Sequence, residues 1–343
     1  MSSSPNQPVS TTIPSSKRQH RAMDADADAN DEVVIDAPPF IRVYKSGRIE
    51  RLVGTDVLPA GLDPATGVAS KDVLVDPATN LTARLYLPDL SGSSPDKKIP
   101  VLVYYHGGGF VIETAFSPTY HNYLNSLVAA AGVVAVSVDY RRAPEHPLPA
   151  AYDDSWAALR WVASRPTEEA WLSERGDLGR VFLAGDSAGA NIVHQMALRA
   201  AEDGLGSGDT EIRGLLLVHP FFCGAEPLES ESWDPKAREW VERLWAFVRP
   251  GTTGLDDPWI DPLTEEAPSL AALPCRRVLV TVAEKDMLRK KGREYQEALK
   301  RSGWDGEAEL LETVGENHVF HLVDPKSDKA LAKLQAVAAF LNS

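Results

Sequence analysis

Two hydrophobic periods alternate along most of the chain. From residue 101 onward, short β-branched and aromatic runs are each followed by a longer stretch with apolar residues at helical spacing. The runs predict strands at 101–105, 133–138, 181–184, 215–218, 278–283 and 308–314. The stretches predict helices at 120–131, 149–163, 235–247, 290–301 and 328–341, and a further helix directly after residues 185–189. Such alternation is typical of an α/β fold, with a mostly parallel sheet flanked by helices.

The pattern before residue 101 predicts antiparallel structure instead. Residues 72–75 and 81–86 alternate apolar and polar positions on either side of a turn at 76–80. We therefore expect an antiparallel pair at one edge of the sheet. Residues 38–44 predict a short helix or an extended arm, and residues 47–52 a hairpin strand.

Two segments depart from this rhythm. Residues 223–263 are rich in Trp, Pro and Glu and are long for a connection, so we expect an insertion near the active site. Residues 1–32 have the composition of a disordered tail. Within them, residues 1–22 are Ser-rich, carry Arg and lack acidic residues, which leaves an organelle transit peptide as the alternative. Met23 is also open as a second start.

Charge and composition exclude some classes of function. A net charge of −14 argues against binding to nucleic acid or an anionic membrane, because repulsion opposes both. No apolar run is long enough to cross a bilayer. The two cysteines, Cys223 and Cys275, lack metal-ligand spacing, so we predict reduced thiols and a cytoplasmic protein.

The candidate chemistry centres on Gly185-Asp-Ser-Ala-Gly189, between an apolar strand and a helical pattern. This order predicts a nucleophile elbow that exposes Ser187 at the carboxyl edge of the sheet. Glycines on both sides let strand and helix pass closely, and the helix N-terminus favours negative charge. The alternative is a turn of small residues in which the serine caps a helix.

A glycine loop, His106-Gly-Gly-Gly-Phe110, directly follows the strand at 101–105. Consecutive glycine N–H groups that point into one small volume stabilise a tetrahedral oxyanion. A phosphate loop is disfavoured, because the Walker lysine and the G-x-G-x-x-G spacing are missing. With the amide after the nucleophile, the predicted oxyanion hole comprises Gly107, Gly108, Gly109 and Ala188.

A serine nucleophile needs a base and an acid, which follow it along the chain in proteins with this elbow. His318 and His321 both follow the last predicted strand, and we prefer His318 because it lies nearer the strand. Asp286 and Glu284 both follow the strand at 278–283, and we prefer Asp286. His321 and Glu284 remain the alternatives.

Together these motifs resemble the hormone-sensitive-lipase-like α/β-hydrolases. The resemblance rests on the glycine loop at 106–110, Tyr140-Arg-Arg-Ala-Pro-Glu145, residues 185–191, Asp286 and Asn317-His-Val-Phe-His321. The arm Pro38-Pro-Phe-Ile-Arg-Val-Tyr44, with residues 54–57, is similar to the plant carboxylesterase branch of that family. The resemblance covers about residues 33–343.

This resemblance implies one α/β-hydrolase domain over residues 33–343, with a small N-terminal cap built from residues 33–60. It implies a serine carboxylesterase that hydrolyses short-chain acyl esters of small metabolites through an acyl-serine intermediate. No cofactor and no metal are expected, and the protein is expected to be a monomer or a dimer. The implied triad is Ser187, Asp286 and His318, with Phe110 and Val319 near the substrate.

Related proteins on the same scaffold leave other functions open. The soluble gibberellin receptors replace the catalytic histidine and commonly carry Ser at the position of Gly109, whereas this chain keeps His318 and Gly109. A hormone-binding protein is therefore disfavoured. The 2-hydroxyisoflavanone dehydratases and the enzymes that convert acyl-sugar esters to lactones retain the triad, so these motifs do not separate them from esterases.

Overall fold

The predicted parallel strands are all present, although β8 (Gly176–Asp186) and β9 (Ile212–Val218) begin before the predicted runs. The computed structural model describes residues 31–92, 94, 97–206, 210–227 and 236–343. Residues 1–30 of the predicted tail lie outside this part of the chain, and so do residues 228–235 of the predicted insertion at 223–263. Contacts between residues divide the chain into two units, Met1–Leu52 and Val53–Ser343.

The first unit contains three short antiparallel strands in its described part. They are β1 (Val33–Ala37), β2 (Ile41–Tyr44) and β3 (Ile49–Arg51), paired in that order. The predicted hairpin strand is present. In the segment predicted as a short helix or an extended arm, residues 38–40 form a turn and residues 41–44 are extended as β2. Its assignment as a cap stays a prediction.

The second unit is built on an eight-stranded sheet. Its strands are β4 (Ala69–Asp76), β5 (Leu81–Leu87), β6 (Ile99–Tyr105), β7 (Val134–Asp139), β8 (Gly176–Asp186), β9 (Ile212–Val218), β10 (Arg277–Ala283) and β11 (Glu307–Thr313). They lie in the order β11-β10-β9-β8-β6-β7-β5-β4. All neighbours from β11 to β7 are parallel, while β5 pairs antiparallel with both β7 and β4.

Helices lie between the strands of the sheet and after the last of them. They are α1 (Pro118–Ala131), α2 (Ala150–Ala163), α3 (Ala170–Ser173), α4 (Ala188–Asp203), α5 (Ala237–Val248), α6 (Arg289–Arg301), α7 (Phe320–Val323) and α8 (Asp328–Leu341), with a 3-10 helix at Leu270–Ala272. Among the described residues, no helix is both long and apolar enough to cross a membrane. The sequence pattern misses α3 and α7, because four residues are too few to show a helical period.

Burial explains why the central strands read as continuous apolar runs. Every residue of β6 is buried, as expected for a parallel strand covered on both faces. By contrast, β4 lies at the edge and alternates between more and less exposed positions. Because parallel strands share a direction, the carboxyl ends of β6, β8, β9 and β10 meet at one edge of the sheet, where the predicted site residues follow them.

Candidate active site

Ser187 occupies a sharp turn between β8 and α4. Its φ is 53° and its ψ is −118°, a conformation that costs energy for any residue with a Cβ. The amide of Ser187 donates a hydrogen bond to the carbonyl of Val218, 2.8 Å away on the neighbouring strand. This bond, with the packed strand and helix on either side, holds the serine in its strained conformation.

The glycines beside Ser187 are required by close packing. A Cβ on Gly189 would lie 1.9 Å from the carbonyl oxygen of Tyr105, and one on Gly185 would lie 2.5 Å from the Gly189 backbone. Neither position accepts a larger residue without movement of the backbone. The structure thus has the tight strand-to-helix passage that the sequence predicts.

His318 and Asp286 come together although 32 residues separate them. Nδ1 of His318 lies 2.7 Å from Oδ2 of Asp286, and the other carboxylate oxygen accepts the amide of Leu288 at 2.9 Å. Asp286 is 3% exposed. The alternative acid, Glu284, instead accepts a hydrogen bond from the exposed amide of Gly315.

The environment of His318 favours its protonated form. Burial on its own would lower the pKa of His318, but the charge of Asp286 and the hydrogen bond to it outweigh burial, so the pKa is raised above its ordinary value of 6.5. One third of the side chain is exposed. Part of the imidazole is therefore open to an approaching group, while Asp286 fixes its orientation through Nδ1.

The amides of the glycine loop have different surroundings. The amide of Gly107 donates to the hydroxyl of Tyr120 at 2.8 Å, so this N–H is already used and Gly107 is removed from the predicted oxyanion hole. Gly108 and Gly109 have φ values of 100° and 61°, which favour glycine. Within the described part of the chain, the amides of Gly108, Gly109 and Ala188 donate to no protein acceptor.

Helix α5, which lies within the predicted insertion at 223–263, approaches the glycine loop. A Cβ on Gly109 would lie 3.2 Å from Cδ2 of Leu244, a half-buried residue of that helix. The part of the insertion that the structure describes therefore borders the proposed oxyanion donors. Its assignment as an insertion near the active site stays a prediction.

Asp186, the residue before the nucleophile, braces the loop from inside the protein. Its two carboxylate oxygens accept hydrogen bonds from the hydroxyls of Tyr104 (2.8 Å) and Tyr120 (2.9 Å). Burial raises the pKa of Asp186, although both hydrogen bonds act in the opposite direction. Asp186 therefore links Tyr104 of β6 to Tyr120 of α1.

The two residues predicted near the substrate have different surroundings. Phe110 is 1% exposed and packs edge-on against Tyr152 and Phe221, so in this structure its side chain is part of the core. Val319 is partly exposed beside His318, and its amide donates to Nδ1 of His219 at 2.9 Å. A substrate contact by either residue stays a prediction.

Sequence reasoning missed His219 and Lys333. His219 directly follows β9, at the same sheet edge as the other site residues, and this position was the available signal. Lys333 lies in α8, and its position in the sequence gives no indication of a site. Its Nζ nevertheless lies 3.0 Å from Nε2 of His219 and 3.3 Å from Nδ1 of His321. The alternative base, His321, thus contacts Lys333.

One group among the described residues has the spacing of metal ligands. Atoms of His219, Asp286 and His318 lie within 4.8 Å of one another. However, Nδ1 of His318 is bonded to Asp286, and Nδ1 of His219 accepts the amide of Val319. Hydrogen bonding accounts for this grouping, and we assign no metal to it.

Comparison with known proteins places the chain in a family. A family described as having the alpha/beta hydrolase fold matches residues 102–322. The chain belongs to this family. Two similar proteins are tuliposide A-converting enzyme 1, chloroplastic, from Tulipa gesneriana (51% identical, covering 91% of this chain and 79% of that protein) and probable carboxylesterase 13 from Arabidopsis thaliana (48% identical, 90% and 98%).

Solved structures agree with this assignment. The thermostable carboxylesterase EstE1 from a metagenomic library is 29% identical, with a TM-score of 0.66 over 80% of this chain and 88% of that chain. An esterase from the archaeon Pyrobaculum calidifontis is 29% identical, with a TM-score of 0.64 over 80% and 82%. The predictions of the fold, of the plant carboxylesterase family and of a serine carboxylic ester hydrolase are confirmed.

The prediction of a cytoplasmic protein is wrong. Relatives about half identical to this chain are named chloroplastic or amyloplastic. The prediction rested on the two cysteines, and reduced thiols do not by themselves separate the cytosol from a plastid.

Removal of the Tyr120 hydroxyl should weaken the loop and the fold together. In Tyr120→Phe, the buried amide of Gly107 and one oxygen of Asp186 each lose a hydrogen-bond partner, which should lower the free energy of unfolding by about 1–3 kcal/mol. Urea unfolding measures this loss. Tyr123→Phe is the matched control, since that hydroxyl makes no hydrogen bond to a described residue; equal effects of both changes would contradict the role of Tyr120.

Proposed function

We propose that this protein hydrolyses carboxylic esters with Ser187 as nucleophile, His318 as general base and Asp286 as the residue that orients the histidine. The observation that carries the proposal is the 2.7 Å contact between His318 and Asp286, in a chain whose serine lies on a strained elbow. A buried carboxylate on Nδ1 leaves Nε2 of the imidazole to accept the serine proton.

The reaction proceeds in two steps. Ser187 Oγ attacks the ester carbonyl while His318 takes its proton, and the resulting oxyanion is held by the amides of Gly108, Gly109 and Ala188. His318 then gives the proton to the leaving alcohol, and an acyl-serine remains. Water then attacks the acyl carbonyl while the same histidine takes its proton. The bond between the acyl carbon and Ser187 Oγ breaks, His318 returns the proton to Oγ, and the carboxylic acid is released.

We propose small acyl esters as the substrates, with a lactone-forming enzyme as the second candidate. The relatives named tuliposide A-converting enzymes favour this alternative, because one of them is 51% identical to the chain. In a lactone-forming reaction, a hydroxyl of the acyl group takes the place of water as the attacking group. Product analysis with a hydroxyacyl sugar ester separates the two, since hydrolysis gives the free acid and cyclisation gives the lactone.

Loss of the nucleophile should abolish ester turnover while leaving the fold intact. For short-chain p-nitrophenyl esters, Ser187→Ala should lower kcat by about 10⁶, with residual catalysis from the oxyanion hole and binding. Steady-state kinetics measure this, and Ser302→Ala, at the C-terminal cap of α6, is the control that should keep full activity. Turnover that survives in folded Ser187→Ala would contradict the proposal.

The pH profile should carry the signature of the pair. His318 acts as a base only when neutral, and its pKa is raised, so kcat/KM should fall as the pH drops through a value above 6.5. In Asp286→Asn the charge is lost, so the limb should move to lower pH and kcat should fall by about 10⁴. An acid limb unmoved in Asp286→Asn would rule out the pairing as its cause.

We propose a plastid location, directed by residues 1–22. Support comes from their Ser-rich, Arg-containing and acid-free composition and from the chloroplastic and amyloplastic names of the relatives. A full chain with a C-terminal fluorescent protein should enter plastids, whereas a chain begun at Met23 should stay outside. The same distribution for both fusions would overturn this assignment.

A further inference from the structure

A buried cluster of three basic side chains lies next to the proposed triad. His219, His321 and Lys333 are between 1% and 3% exposed. The Lys333 amine contacts both imidazoles, at 3.0 Å from Nε2 of His219 and 3.3 Å from Nδ1 of His321. A buried cluster of three positive charges would be strongly unfavourable, so the positions of their protons need an account.

The backbone fixes the tautomer of His219. Its Nδ1 accepts the amide N–H of Val319 at 2.9 Å, and an amide only donates. The proton of a neutral imidazole is therefore on Nε2. Asp286 Oδ2 is also near Nδ1, but at 3.5 Å it is beyond a good hydrogen bond, and a proton on Nδ1 would face the Val319 N–H.

This tautomer determines the state of Lys333. The Nε2–H of His219 points at Nζ, so Nζ must accept, and an ammonium group has no lone pair with which to accept. A neutral amine has one lone pair and two N–H groups. Because the lone pair accepts from His219, the amine can only donate to Nδ1 of His321. The direction of the whole chain thus follows from the amide of Val319.

We propose that Lys333 is a positioning residue for the ester hydrolase and acts as a neutral amine, which accepts a hydrogen bond from His219 and donates one to His321. The proposal rests on the proposed function, because the segment it positions carries His318. It assigns Lys333 no contact with the substrate.

The strained backbone explains why such positioning is needed. Val319 directly follows His318 and has a φ of 46°, in the left-handed region that β-branched residues avoid. His219, which holds its amide, has a φ of 47°. Strain of this kind persists only where the surroundings over-determine it, and Lys333 fixes the ring that anchors Val319.

The charges around Lys333 agree with a neutral amine near neutral pH. Burial lowers the pKa of Lys333 to about 7, although the carboxylates of Asp186 and Asp286 act to raise it. The other titratable groups that face it are imidazoles, namely His219, His318 and His321, and burial lowers the pKa of His219 and His321. Protonation of Lys333 should thus add to the loss of activity below about pH 7.

Two substitutions of Lys333 separate a neutral acceptor from a cation. Lys333→Gln supplies an uncharged acceptor and donor, whereas Lys333→Arg is always charged and cannot accept. We expect Arg to lower kcat by about 100-fold with little change in KM, as for a misplaced catalytic group, and Gln to retain more kcat than Arg. The acid limb should also become less steep in Lys333→Gln, because one of its two protonations is removed.

The controls are Lys326→Gln and Lys326→Arg, at an exposed lysine just before α8, and both should behave as wild type. Higher kcat in folded Lys333→Arg than in Lys333→Gln would overturn the proposal. If neither variant folds, wild-type protein labelled with ¹³C at lysine Cε decides by NMR. One lysine should titrate near pH 7 rather than at about 10.4. If no lysine titrates near pH 7, the proposal is overturned.

His318→Gln, assayed in the same series, keeps this test separate from that of the proposed function. Full activity in His318→Gln would overturn the proposed function and, with it, the positioning role. An inactive His318→Gln with Lys333→Arg equal to wild type would overturn the role of Lys333 alone.

Discussion

The contact between helix α4 and strand β6 is the constraint on which the site depends. Gly189 approaches the carbonyl of Tyr105 so closely that a single added carbon would collide with it. The chain turns sharply at Ser187 to make this approach, and the serine therefore has an unfavourable backbone conformation that the surrounding packing maintains. Because Tyr105 also ends the strand that carries the glycine loop, one close contact brings the proposed nucleophile and oxyanion donors to the same edge.

Much of the fold can be predicted from the sequence, because strands and longer helices produce local patterns of apolar residues. Buried parallel strands such as β6 show as unbroken apolar runs, and the longer helices show a period that a linear pattern displays directly. The preference for Asp286 and His318 over their neighbours uses the same logic, because it depends on their order after two strands. The structure pairs those two side chains, while their catalytic roles stay a prediction.

The features that sequence reasoning misses depend on contacts between distant segments. Nothing near Gly107 indicates that its amide faces a tyrosine of α1, since that contact depends on how the helix lies on the sheet. Lys333 reads as one more polar position in α8 until β9 and α7 are packed beside it. Position in a topology can be inferred from a pattern, whereas the choice of partner for a particular N–H is settled only by packing.

The approach of Leu244 to Gly109 has a consequence for how such an enzyme diversifies. Leu244 belongs to the segment that interrupts the regular alternation of strands and helices, while the elbow, the acid and the histidine follow strands of the sheet. The described segment that borders the proposed oxyanion donors thus belongs to a different stretch of the sequence from the residues of the proposed triad. A change in α5 would alter the space beside the glycine loop and leave the contact between His318 and Asp286 unchanged, so the surroundings of the proposed oxyanion donors can vary while the proposed triad stays the same.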